Sequence, residues 1–327
     1  MKMKWVAVFF FLIWVRAFSQ DYQFSQFYAS PLTTNPALTG NFNGMARVGV
    51  NYRLQWSNLL YSNFVYQTPA VFADFNFFNK NLSWGIHLLN DQTNNKTFNS
   101  LEIRSSAAYH LRFWRMRLSF GIQGSYSQNY LDIKKLDPNI VSTEINLNDQ
   151  NRQFDFHAGA FATYKYHNNN ILYYGASVFH LIRPVGNYSS GNQQYILPAK
   201  YMFHIGGDFA VRDRYKIIPG LLMAYQGGAS QINLGSTLTY RVNKLYQDEP
   251  ICLLVGVWAR LNESHAESFI PKAGIEYGRC RAVVSYDYTL SDLGMSKSPN
   301  TLELSMNYYF QSPEKKRNDF DCIYSPY

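Results

Sequence analysis

In Gln231-Ile232-Asn233-Leu234-Gly235-Ser236-Thr237-Leu238-Thr239-Tyr240-Arg241-Val242, oily and polar residues take turns. Ile232, Leu234, Leu238, Tyr240 and Val242 fall on one face of an extended chain, and Gln231, Asn233, Thr237, Thr239 and Arg241 on the other. A strand turns successive side chains to opposite faces, so this stretch has one apolar side and one wet side. Phe154 to Tyr166 repeats the pattern: Phe154, Phe156, Ala158, Ala160, Ala162, Tyr164 and Tyr166 oppose Gln153, Asp155, His157, Thr163 and Lys165. Leu101 to Phe113 alternates as well, with Glu102, Arg104, His110 and Arg112 on the polar face.

Working outward, about fourteen such segments fill residues 44–310, near 44–54, 64–78, 82–91, 98–112, 115–130, 153–167, 170–183, 200–213, 214–226, 230–243, 250–262, 267–278, 279–290 and 300–310. A soluble sandwich alternates in the same way, but its strands usually run about five or six residues. Most of these run ten or more, and a tilted strand needs about nine to eleven to cross a bilayer. Tight connections, such as Trp114, Asp213 and Gly278, alternate with long ones, such as residues 131–152 and 184–199. The alternation weakens at Gly227-Gly228-Ala229 and after residue 243. Short turns at one end and long loops at the other are the signature of a membrane barrel. The expected fold is all-β: a transmembrane antiparallel barrel of about 14 strands, closed because lipid leaves no partner for an open edge.

The flanks read differently. Lys2 and Lys4 precede an apolar run from Trp5 to Val15, too short to span a bilayer, and Ala17-Phe18-Ser19 supplies small residues at positions −3 and −1. Residues 1–19 are the expected signal peptide, with Gln20 as the mature N-terminus. Residues 20–43 form a periplasmic or plug-like segment, and 311–327 a periplasmic tail. The +8 net charge falls to +5 once Lys2, Lys4 and Arg16 are removed. The remaining basic residues are scattered, so outer-membrane lipid is the expected contact and nucleic acid is not.

Chemistry leaves little trace. The histidines show no metal or triad spacing, and His157 beside Asp155 is read as part of a polar lumen wall. No serine has a positioned base. Neither catalysis nor a cofactor nor a metal is expected. The lumen face carries both signs: Arg47, Arg53, Glu102, Arg104, Arg112, Arg117, Asp155, Lys165, Asp208, Arg241, Glu276, Arg281, Asp287 and Glu303. If that face is wet, Asn233→Arg is tolerated while Leu234→Arg on the lipid face costs roughly 2–4 kcal/mol. By topology Cys252, Cys280 and Cys322 gather at one rim. Cys280–Cys322 is the preferred bond, with Cys252–Cys280 as the alternative.

Some local motifs are not explained by barrel physics: Asp21-Tyr22-Gln23-Phe24-Ser25-Gln26-Phe27-Tyr28, then Pro31-Leu32-Thr33-Thr34-Asn35-Pro36-Ala37-Leu38-Thr39-Gly40, then Tyr52-Arg53-Leu54-Gln55-Trp56. Near the end stand Tyr286-Asp287-Tyr288-Thr289-Leu290-Ser291-Asp292-Leu293-Gly294 and Thr301 to Phe310. This set, in this order, resembles the PorP/SprF family of type IX secretion system outer-membrane proteins of the Bacteroidetes. The tail ending Ile323 to Tyr327 departs from the family pattern. The resemblance implies a non-enzymatic outer-membrane subunit. Such a subunit works with periplasmic ring and lipoprotein components and helps secrete or hold a large surface adhesin, including adhesins used in gliding. The alternative is a diffusion porin or small-solute transporter. Asn35, Pro36, Tyr52, Arg53, Gln55 and Trp56 are the candidate plug or partner contacts. Asn35-Pro36 is a turn former, and Arg53 and Gln55 share an inward face. Trp56 is either a partner contact or an interfacial girdle residue.

Overall fold

The computed structural model describes residues 21–56, 65–77, 81–93, 96–132, 150–166, 170–186, 195–243, 250–262, 266–290 and 300–310. The expected signal peptide, the C-terminal tail and Cys322 lie outside the described residues.

Fourteen long strands form a closed antiparallel barrel. They are β1 (Ala46–Gln55), β2 (Tyr66–Phe77), β3 (Leu82–Thr93), β4 (Phe98–Phe113), β5 (Met116–Leu131), β6 (Gln150–Lys165) and β7 (Ile171–Phe179) in the first half. After a minor pair, β8 (Val185–Gly186) with β9 (Tyr195–Ile196), come β10 (Lys200–Arg212), β11 (Tyr215–Gln226), β12 (Ala229–Arg241), β13 (Ile251–Asn262), β14 (Ala266–Tyr277), β15 (Cys280–Thr289) and β16 (Thr301–Phe310). Each barrel strand pairs with its chain neighbour, and β1 closes the ring on β16 with Arg53 opposite Glu303 and Ala46 opposite Phe310. Closure pairs the ladder groups on both sides of every strand, which is what a hydrocarbon surround demands.

The faces sort as period-two reading requires. Leu234 and Leu238 point outward and are exposed, and so are Phe154 and Phe156, while Asn233, Thr237, Thr239, Asp155 and His157 are buried inside. Phe113, Tyr166, Tyr277 and Phe310 stand exposed at the turn end, where aromatic rings form the girdle of a membrane barrel. Two-residue turns at Gly227–Gly228, both with positive φ, and a longer connection at 242–250 are the two departures from the short–long alternation. The sequence reading runs the seventh segment to residue 183, but β7 stops at Phe179 because His180 and Arg183 adopt left-handed φ of 59° and 48° and turn the chain away.

Candidate functional site: a lumen filled by the N-terminal segment

Residues 21–42 lie inside the barrel, and Asn43 is exposed. Phe24, Phe27, Tyr28, Ala29, Leu32, Ala37, Leu38 and Phe42 are buried, as are Ser25, Gln26, Thr34, Asn35, Thr39 and Asn41. The segment runs lengthwise through the lumen. Asp21 meets Gln226, His180 and Lys200 at the loop end, and Gly40 meets Asp74 near the turn end.

Two short 3-10 turns compact the segment, Pro31–Thr33 and Pro36–Leu38. Asn35 caps the second by accepting the Ala37 amide at 2.9 Å, a typical cap role for this side chain. Its Nδ2 also donates to the carbonyls of Ala160 and Ala176 at 2.9 and 3.2 Å and lies 3.2 Å from His204 Nε2. The Asn35-Pro36 element thus docks on the wall of β6, β7 and β10. Two glycines make that docking possible. A Cβ at Gly121 would stand 2.3 Å from the Ala37 nitrogen, and one at Gly159 would stand 2.0 Å from Asn35 Oδ1.

Arg53 reaches the segment directly. Its Nη1 donates to Ser25 Oγ at 2.7 Å and to Glu303 Oε2 at 3.1 Å. Glu303 in turn accepts the amides of Ser25 and Gln26 at 2.8 and 2.9 Å. Arg260 and Asp287 complete the network on Ser25. A second clamp joins Arg104, Glu102 and the Tyr22 hydroxyl at 2.7 to 2.9 Å, and a third joins Arg47 to Asp74 at 2.8 Å. All of these charges are almost fully shielded from solvent, so each depends on its partner.

The other singled-out residues sit elsewhere. Tyr52 faces the outer side of β1 and is half-buried, with its hydroxyl 3.5 Å from Gln67 Oε1. Gln55 ends β1 opposite Thr301 and Tyr66 and is only partly buried. Trp56 follows it with φ of 63° and packs edge-on against Tyr66 at 5.5 Å.

The cysteines correct the preferred pairing. Cys280 is a free thiol, whereas Cys252 is disulfide-bonded. Strand parity is the reason. Cys252 faces the lumen, fully buried between Arg241 and Glu276, while Cys280 faces outward between Tyr277 and Tyr308. With Cys280 free, neither the Cys280–Cys322 bond nor the Cys252–Cys280 bond forms, and the opposite faces of Cys252 and Cys280 account for the second.

One cluster had no signal in the spacing of the sequence. His180, just beyond β7, places Nδ1 2.6 Å from Asp155 Oδ2 and Nε2 2.7 Å from Asp21 Oδ2. Burial disfavours the charged imidazolium, but the Asp21 and Asp155 carboxylates outweigh it and raise its pKa to about 9. Burial likewise opposes ionisation of Asp21, yet the His180 and Lys200 charges hold its carboxyl well below the usual carboxylate range.

A closed barrel of fourteen antiparallel strands, apolar outside and filled by its own N-terminal segment, is an outer-membrane β-barrel. Solved structures agree on the fold. The Ralstonia pickettii toluene transporter TbuX superimposes with a TM-score of 0.57 at 11% identity, over 86% of this chain and 94% of that one. A Pseudomonas aeruginosa FadL homologue gives 0.53 at 10% identity, over 85% and 93%, and the CymD monoaromatic hydrocarbon channel 0.51 at 10%, over 87% and 93%. A comparison with curated proteins finds no match. The sequence itself matches the family described as type IX secretion system membrane protein PorP/SprF over residues 17–308, and the chain belongs to that family.

Proposed function

We propose that this chain is a non-enzymatic subunit of the type IX system that helps secrete or hold a large surface adhesin, and that it contacts the periplasmic ring and lipoprotein components. Family membership supplies the system, and the filled lumen is the observation that carries the rest. Buried ion pairs and packed aromatic rings occupy the space through which a porin would pass solutes. The barrel then acts as a rigid membrane platform whose rims and loops meet other proteins. The family-like motifs Asn35-Pro36 and Arg53 build the plug, so their role is to shape that platform from within. The test is twofold. The purified protein is expected to be silent in planar bilayers, and pulling it from native membranes is expected to bring an adhesin and periplasmic ring subunits with it. Steady single-channel conductance with no protein partner overturns the proposal.

A second reading has one observation behind it. An apolar recess of about 470 Å³ lies on the outer face of β7, β10, β11 and β12, lined by residues such as Val178, Tyr201, Phe203 and Met223. Two of the neighbours named above are a toluene transporter and a monoaromatic hydrocarbon channel by their titles. Uptake of a labelled aromatic hydrocarbon by vesicles containing the protein, at a rate above that of empty vesicles, selects this small-solute reading over the first.

A further inference from the structure

We propose that Asp155, His157 and His180 form a binding site for one divalent transition-metal ion of zinc-like preference, and that the ion locks the start of the lumen segment to the barrel wall.

One donor atom from each of the three residues lies within 4.8 Å of the others, and all three residues are buried. Two imidazoles and one carboxylate are a donor set that zinc takes with a fourth position left open. A tetrahedral site with bonds of about 2.0–2.1 Å sets its donors roughly 3.4 Å apart, so small side-chain rotations suffice. The Asp155–His180 contact opens from 2.6 Å as the ion enters between them, and the proton they share leaves to solvent.

Each histidine also has its other ring nitrogen already oriented. His180 Nε2 faces Asp21 Oδ2 at 2.7 Å, and His157 Nε2 faces Ser125 Oγ at 2.9 Å. Metal-bound histidines regularly donate their second nitrogen to a carboxylate or another oxygen in this way, which fixes the ring and strengthens it as a ligand. The remaining nitrogen of His157 accepts the His180 amide at 3.1 Å, and that bond is given up to the ion. His180 holds its position through a left-handed backbone, φ 59°, which costs a non-glycine residue stability and is retained where surroundings enforce it. Asp21 belongs to the lumen segment and Lys200 stands 3.8 Å from it, so the ion's outer contacts reach the segment.

The test uses the full barrel, purified without a histidine tag, stripped with chelator and titrated with Zn²⁺. One Zn²⁺ per barrel is expected after gel filtration. His157→Ala and His180→Ala are each expected to abolish it, and Asp21→Asn, which removes only an outer contact, to weaken it by about 10–100-fold. Zinc-edge X-ray absorption of the wild-type protein is expected to resolve two imidazole ligands, a readout that needs no variant to fold. Zinc is also expected to slow chymotryptic cleavage near Tyr22 and Phe24. Stoichiometry no higher than that of the His157→Ala protein, or an absorption spectrum without two imidazoles, overturns the proposal. In that case His180 is a protonated bridge between two carboxylates and nothing more.

Discussion

The two walls of the lumen hold the same segment by opposite means. On the side of β15, β16 and β1, residues 25 and 26 are gripped by Arg53, Glu303 and Asp287, with amides and guanidinium groups satisfied one by one. On the side of β6, β7, β10, β11 and β13, Phe27, Tyr28, Ala37 and Leu38 pack against Phe161, Tyr173, Phe179, Leu222 and Trp258. Phe27 meets Trp258 edge-on at 5.4 Å, Lys272 lies over the rings of Tyr28 and Trp258 at 3.9 and 4.4 Å, and Arg104 lies over the ring of Phe179 at 5.4 Å. Around Phe27 and Tyr28 the apolar wall contributes area and can relax, whereas register is fixed by the charged partners of Ser25 and Gln26 and, on the apolar side, by the Asn35 bonds to Ala160 and Ala176. A buried charge that loses its partner costs more than a cavity that neighbours can relax into.

Single substitutions sharpen or break this contrast. Glu303→Ala strips Arg53 and two backbone amides at once, and is expected to cost about 3–5 kcal/mol in denaturant unfolding. Phe27→Ala on the apolar wall is expected to cost about 3 kcal/mol, at the lower edge for a buried phenylalanine, because Tyr28 and Trp258 can close on the space. If Phe27→Ala destabilises the protein more than Glu303→Ala does, the contrast between the walls collapses. Ser25→Ala removes one hydroxyl from the charged network and is expected to cost about 1–3 kcal/mol. Because residues 21–43 contain no Lys or Arg, chymotrypsin rather than trypsin reports how far each variant loosens the segment. Cys280→Ser, on the outer face of β15, is expected to fall within about 0.5 kcal/mol of wild type. Alkylation without reductant is expected to label Cys280 and leave Cys252 unlabelled.

Most of the barrel was legible in the sequence because period two is a strong local signal. All fourteen barrel strands fall within the alternating segments or within a few residues of them, the seventh ending four residues early at Phe179, and the two irregular connections fall where the turn pattern weakens. What lay beyond reach depends on register and on loops. Arg53 and Glu303 both read as lumen residues, but only strand closure makes them direct partners. His180 follows the end of β7, so no periodicity ties it to Asp155 or to Asp21. The cysteine parity was readable, since Arg281 and Asp287 already mark the inward face of β15, and Cys280 lies on the other. The expectation for Asn233→Arg changes as well. Asn233 is buried and lies 3.3 Å from Arg260 Nε, so an added guanidinium meets a like charge instead of water.

Ser25 takes its place from Glu303, 278 residues further along the chain, and Gln26 from Ser285, 259 residues on. Asn35 meanwhile depends on Ala160 and Ala176, near the middle. Contacts so distant in sequence form late, because the intervening chain must be ordered first. The first residues of the segment to be made are therefore the last to gain all their partners. A barrel still lacking β16 has no Glu303 to receive Ser25 and Gln26, whatever the state of its first half. The covering of Ser25 and Gln26 is in this sense a clock mark. It dates the moment at which β16 joins β1, and a protease added during assembly can read it.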